Sequence, residues 1–103
     1  MAVKKLSETL AKTYVEMLSI HGEHGLYRKV IGHGIIRYAS DIKAPEVEIL
    51  DLAEAFFSAY RRGEDEVFFI IGRVLRRAAH TLYRKLHKDT QTATNKRFLN
   101  VVR

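Results

Sequence analysis

The sequence predicts an all-α protein, a compact bundle of four main helices followed by a short C-terminal helix. In four long segments, apolar residues recur at spacings of three and four, which is the period of one helix face. Glycines, a single proline and clustered acidic residues separate these segments, as expected at the ends and starts of helices. Only the segment VIGHGII, rich in valine and isoleucine, is also compatible with a strand.

The first two helices are predicted over residues 3–21 and 26–39. The segment HGEHG lies between them, and its two glycines favour a helix stop and a tight turn. Gly32 and Gly34 fall inside the second helix, where each costs about 1 kcal/mol of helix propensity relative to alanine. Two glycines so close together indicate either a close approach by a neighbouring helix or a kink.

The third helix has clear signals at both ends. Pro45 suits the first helical position, because the N–H that it lacks would have no partner there. Glu46 and Glu48 follow, where the positive end of the helix dipole favours negative charge. The apolar stripe of this helix is predicted to be buried as far as Tyr60, and Gly63 is predicted to supply the stop.

The fourth helix is predicted to start at Glu64–Glu66 and to run to about His87. The polar segment DTQTAT follows and is predicted to form a loop. A short last helix is predicted over residues 96–102, with its apolar side chains docked on the bundle.

Length and composition place the chain among soluble globular proteins. A chain of 103 residues, 47% hydrophobic and 29% charged, is expected to form one domain, residues 1–103, around one core. The absence of cysteine excludes disulfides, thiolate metal sites and cysteine nucleophiles. No apolar run is long enough for a signal peptide or a membrane-spanning helix, so we expect a cytoplasmic location.

The positive charge is concentrated in the second part of the chain. Residues 61–103 hold eleven Lys and Arg against four Asp and Glu, whereas residues 1–60 hold seven against eight. The net charge of +6 therefore comes entirely from the last 43 residues. Such asymmetry indicates a polyanionic partner, of which nucleic acid is the commonest, although a basic surface that only keeps the protein soluble remains an alternative.

The predicted fourth helix separates into two faces when each residue is advanced by 100°. The apolar side consists of Val67, Ile71, Val74, Leu75, Ala78, Leu82 and Leu86. The opposite side, which we call the basic face, consists of Arg73, Arg76, Arg77, His80, Arg84, His87 and Lys88. No acidic residue interrupts the basic face, whereas solvated helix faces commonly alternate charges to gain ion pairs one turn apart.

The basic face predicts a nucleic-acid-binding surface. Arginine suits bidentate contact with phosphates, and Lys96 and Arg97 of the last predicted helix add further positive charge. Phe69 joins the basic face near its start and Tyr83 flanks it, so both rings are candidates for stacking on unpaired bases.

The sequence gives no positive sign of catalysis or of a metal site. His21, His24 and His33 are expected to lie near the HGEHG turn, but a zinc site needs a further ligand and a supporting shell that the sequence does not reveal. Phosphate-binding, nucleophile-elbow and metalloprotease motifs are all absent. We therefore expect a protein that is not an enzyme and that carries neither a metal nor another cofactor.

The C-terminal stretch QTATNKRFLNVVR resembles the end of small helical subunits of CRISPR effector complexes. In that family a threonine-containing turn precedes two basic residues and a phenylalanine-led apolar triplet. Thr92 matches the turn and Lys96 and Arg97 the basic pair, and Phe98 begins the part that follows. The resemblance implies a non-catalytic subunit, stacked in several copies, that holds guide RNA or displaced single-stranded DNA.

Two other classes of function remain open from the sequence. A structural nucleoprotein, such as a coat or chromatin-like protein, would coat duplex DNA, and an adaptor would bring the basic face to an acidic protein. We expect single-stranded RNA or DNA as the favoured partner and no membrane. The resemblance also implies other protein subunits of a ribonucleoprotein complex, among which copies of this chain are one option.

Overall fold

The computed structural model describes residues 6–40 and 44–87, which form three α-helices. They are α1 (Glu8–Ala39), α2 (Pro45–Arg61) and α3 (Val67–Leu86), and these ranges contain no strand. The all-α prediction is confirmed, and VIGHGII is helical within α1. The short helix predicted over residues 96–102 lies outside the described residues.

The described residues contain three helices rather than the four main ones that the sequence predicts, because the first two are joined in α1. Gly22 alone leaves the helical conformation, with φ 72° and ψ 177°, so α1 is kinked there and continues without a loop. Glycine reaches this positive φ at little cost because it has no Cβ. The HGEHG segment therefore bends the chain at one residue instead of forming a turn.

The ends of α2 follow the sequence closely, whereas α1 begins at Glu8 rather than at residue 3 and α3 at Val67 rather than at Glu64–Glu66. Ser7 caps α1, its Oγ accepting a hydrogen bond of 3.1 Å from the backbone N–H of Leu10. Pro45 is the first residue of α2, and Gly63, with φ 92°, lies just beyond its end as predicted. The acidic residues Glu64–Glu66 precede α3, and Oδ1 of Asp65 accepts a hydrogen bond of 3.0 Å from the backbone N–H of Val67.

The core lies between α3 and the two other helices, which both pack against it. The largest fully buried side chains come from all three helices: Leu26, Pro45, Phe56, Ile71, Leu75 and Leu82. The Phe56 ring meets Tyr14 and Phe68 edge to face, at centroid distances of 5.6 and 5.5 Å. As predicted, most of the apolar side of α3 is buried.

Gly34 marks a close approach between α1 and α3. A Cβ atom at this position would overlap the side chain of Leu82, which is fully buried. A Cβ on Gly32 would meet nothing within 4 Å. The sequence leaves two explanations open for Gly32 and Gly34, a close approach of a neighbouring helix or a kink. Gly34 lies at a close approach, and the kink in α1 is at Gly22.

We expect Gly34→Ala to be less stable than Gly32→Ala. Gly32→Ala should raise the free energy of unfolding by about 1 kcal/mol, because it adds helix propensity in open space. Gly34→Ala gains the same propensity but forces Leu82 to move, so it should be less stable than Gly32→Ala by roughly 1–3 kcal/mol. Urea denaturation of both variants measures the difference, and equal values would contradict the close approach.

Candidate functional site

Four arginines of the basic face lie exposed along α3. Arg73, Arg76, Arg77 and Arg84 are on the side opposite the fully buried Leu75. No carboxylate of the described residues lies within 4.0 Å of these guanidinium groups, whereas three of the four other described arginines have acidic partners. The paired arginines are Arg37 with Glu48, Arg61 with Glu54, and Arg62 with Glu64. Within residues 6–40 and 44–87, these four arginines thus have no acidic partner to compete with a ligand.

Aromatic rings from all three helices lie beneath three of these guanidinium groups. The pairs are Arg73 with Phe69 at 5.9 Å, Arg76 with Phe57 at 5.4 Å, and Arg77 with Tyr27 at 4.8 Å from the ring centroid. Each cation–π contact contributes on the order of 0.5–1 kcal/mol at an exposed site. Each guanidinium group has five N–H donors, and a ring accepts none of them in place of an anionic ligand's oxygen atoms.

A groove of about 380 Å³ runs between α1 and α3 beside the arginines. It is lined by Glu23, His24, Tyr27, Arg73, Val74, Arg76, Arg77 and His80. The hydroxyl groups of Tyr27 and Thr81 share a hydrogen bond of 2.8 Å, which fixes the Tyr27 ring on this side of α1. The sequence does not single out Tyr27, because the helix crossing that brings its ring to Arg77 is set by tertiary packing.

His80 lies half-buried between Arg76 and Arg84 on the basic face. Burial, followed by the positive charges of Arg76 and Arg84, lowers the pKa of His80 below its usual value. His80 is therefore mainly neutral at pH 7 and leaves the positive field of the face to the arginines.

His87 lies at the end of the basic face but contacts an acidic residue. Its Nε2 is 2.7 Å from Oε2 of Glu46, which is only 3% exposed at the start of α2. The prediction that His87 contributes to an open cationic surface is therefore wrong. The pair joins the last turn of α3 to the first turn of α2, an arrangement set by tertiary packing.

Tyr83 is buried, so its predicted role in stacking on bases is also wrong. Only 4% of the residue is exposed, and its ring lies 4.9 Å from that of His87. Burial and, to a smaller extent, the nearby Glu46 carboxylate raise the pKa of Tyr83. Tyr83 lies at the border of the two faces in the sequence, and α2 covers that border in the structure.

Phe69 remains available for stacking, and a second ring lies against it. Phe69 is 37% exposed and Tyr60, near the end of α2, is 39% exposed. Their centroids are 5.2 Å apart and their planes are inclined by 43°. The prediction that Tyr60 is buried is wrong, because its ring lies beyond the core where α2 ends and α3 begins.

The remaining predicted site residues and metal ligands are placed as follows. Lys88, Lys96 and Arg97 lie outside the described residues. His21, His24 and His33 are exposed, and the part of the chain that the structure describes holds no group of three or more potential ligands around a metal position. None of the helices within 6–40 and 44–87 has the length and apolar character needed to cross a membrane.

Comparison with known proteins gives no relative for this chain. No protein-family model, curated protein or solved structure matches it. Its function is therefore inferred from the chemistry of the basic face.

Acidification is expected to destabilise the fold through His80. Because the folded protein lowers the pKa of His80, the unfolded chain binds the proton more readily, and stability should fall as the pH drops below about 6.5. His80→Gln should remove that part of the decrease between about pH 7.5 and 5.5, measured by urea denaturation.

An NMR titration provides the control for this effect. Arg76→Ala should raise the pKa of His80 because it removes a neighbouring positive charge, whereas Arg37→Ala, which removes a charge paired with Glu48, should leave the pKa of His80 unchanged. Identical His80 titration curves in wild type and Arg76→Ala would contradict this account of the field.

Proposed function

We propose that this protein binds nucleic acid through the basic face of α3 and does so without catalysing a reaction. The observation that carries the proposal is the set of four exposed α3 arginines with no carboxylate partner among the described residues. An arginine that is already in an ion pair must break that pair before it binds a phosphate. The α3 arginines avoid that cost, and their forked N–H groups match phosphate oxygens.

The contacts proposed here are to phosphates rather than to base edges. Phosphate contacts supply affinity and position but carry no sequence information, so binding should vary little with sequence. α3 packs between α1 and α2, and its exposed strip is bordered by Tyr27 of α1 and Tyr60 of α2. A strip bordered in this way suits a strand laid along it better than insertion of α3 into a duplex groove.

The resemblance to CRISPR effector subunits supports a more specific proposal. Under it, the protein is a non-catalytic subunit of a ribonucleoprotein that holds guide RNA or single-stranded DNA beside further subunits. Purification from the native cell, followed by DNase or RNase treatment, tests this. RNase-sensitive association with other proteins is the expected result, while DNase-sensitive association with long duplex DNA would favour a coat or chromatin-like role.

Replacing Arg76 and Arg77 together by alanine should weaken nucleic-acid binding and its salt dependence. Three to five phosphate contacts lower affinity by roughly ten- to a hundredfold between 50 and 200 mM salt. For each phosphate that the variant no longer neutralises, the slope of log K against log salt should become shallower by about 0.7 on single strands, almost equally for every sequence tested. Fluorescence anisotropy at several salt concentrations measures both quantities.

The matched control is Lys12→Ala with Lys29→Ala, which removes the same charge from α1. Lys12 and Lys29 line other grooves of the protein, away from the α3 arginines. Equal weakening of binding in both double variants would show that only net charge matters and would overturn the dedicated face. Absence of binding to any nucleic acid at low salt, together with capture of an acidic protein, would favour the adaptor function.

A folding control separates binding from stability. The arginine variant should lose at most about 1–2 kcal/mol of unfolding free energy, because both side chains are exposed and each gives up one cation–π contact. Leu75→Ala should lower the free energy of unfolding by roughly 2–5 kcal/mol, because it leaves a cavity in the core.

A further inference from the structure

Tyr60 and Phe69 form a pair of exposed rings contributed by two different helices. Their centroids are 5.2 Å apart, and about two fifths of each residue is exposed. Behind them lies Phe57, which is 7% exposed and has its ring 5.7 Å from that of Phe69. A Cβ on Gly72 would lie 2.8 Å from Cε1 of Phe57, so the supporting ring is packed directly on the α3 backbone. Phe69 therefore rests on a buried ring of the core.

The ring pair is continuous with the α3 arginines. The guanidinium group of Arg73 lies 5.9 Å from the centroid of Phe69, and Arg76 lies 5.4 Å from that of the supporting Phe57. The other large exposed apolar side chains, Ile20, Ile35, Ile36, Tyr38 and Val47, belong to α1 or to the start of α2. Among the exposed aromatic rings of the described residues, those of Tyr60 and Phe69 therefore adjoin the proposed phosphate-binding surface.

We propose that Tyr60 and Phe69 form a stacking platform for unpaired bases, so that the α3 surface selects single-stranded over duplex nucleic acid. The inference rests on the proposed function, because the arginines hold the backbone whose bases reach the rings. Aromatic side chains stack on every base, since each base has a π-face. The guanidinium group of Arg73 lies over the Phe69 ring and is a further surface for stacking, because bases also stack on arginine.

The preference for single strands follows from which base faces are accessible. In a duplex, each internal base is covered on both faces by its neighbours, so the rings reach at most a terminal pair. A duplex would then be held by the arginines alone. A single strand gains the same phosphate contacts and adds stacking, which is worth roughly 5- to 150-fold in affinity per base.

The test compares a single strand of about 20 nucleotides, in DNA and in RNA, with a duplex of the same sequence. Tyr60→Leu with Phe69→Leu keeps apolar bulk but removes both π-faces. We expect this variant to lose about ten- to a hundredfold in single-strand affinity, with duplex affinity and the single-strand salt slope close to wild type. Tyr38→Leu is the matched control, because Tyr38 is a 45% exposed ring on α1, and it should bind like wild type.

A second variant gives a signal that does not depend on loss of function. The chain contains no tryptophan, so Tyr60→Trp introduces a unique fluorescent reporter into the platform. Tryptophan preserves stacking, so binding to the single strand should be retained and its fluorescence quenched. The duplex should leave most of the fluorescence unchanged.

The outcomes separate this inference from the function on which it rests. If wild type binds both probes and the leucine variant keeps the same ratio of single-strand to duplex affinity, the platform is overturned and the α3 phosphate surface stands. If the leucine variant changes only the oligomeric state in size-exclusion chromatography, the rings join protein copies and the platform is likewise overturned. If wild type binds neither probe at low salt, both proposals fail.

Discussion

The structure depends on the burial of one side of α3 against two helices at once. Ile71, Leu75 and Leu82 are fully buried, and each such side chain contributes roughly 1.5–3 kcal/mol relative to its exposed state. Contact on two sides requires the backbones to approach closely, which Gly34 permits on the α1 side and Gly72 on the α2 side. Because α1 and α2 cover the rest of α3, its outward side stays exposed to solvent, and this side carries the arginines.

The sequence predicts most of α3 because the information is local. A period of 3.6 residues over twenty residues sorts the fully buried Leu75 from the exposed Arg76 without knowledge of any neighbour. The ends of α2 are predictable for the same reason, since Pro45 and Gly63 act on their own backbone. The local pattern also predicts a helical segment on each side of Gly22. It does not show that the two segments are joined directly, with a kink at that one residue.

The errors fall where a neighbouring helix decides the outcome. Tyr83 lies between the two faces of α3, and its fate depends on which side α2 covers. His87 acquires its partner from a residue 41 positions earlier in the chain, and no spacing rule connects the two. Tyr60 continues the apolar stripe of α2 in the sequence, yet it lies beyond the core and reaches Phe69 instead. The aromatic flanks of the candidate site are therefore products of packing that composition cannot reveal.

The positive charges of the α3 arginines repel one another and so destabilise the isolated protein. Arg73 is one turn away from both Arg76 and Arg77. Each like-charge pair at this spacing destabilises a helix by about 0.2–0.5 kcal/mol. Burial and, to a smaller extent, the positive charges of Arg76 and Arg84 lower the pKa of His80. The apolar side of α3 offsets this repulsion, so the helix remains stable although its outer arginines have no acidic partner among the described residues. A bound polyanion would relieve the repulsion, and the free energy released would favour the complex, a contribution that an ion-paired face cannot make.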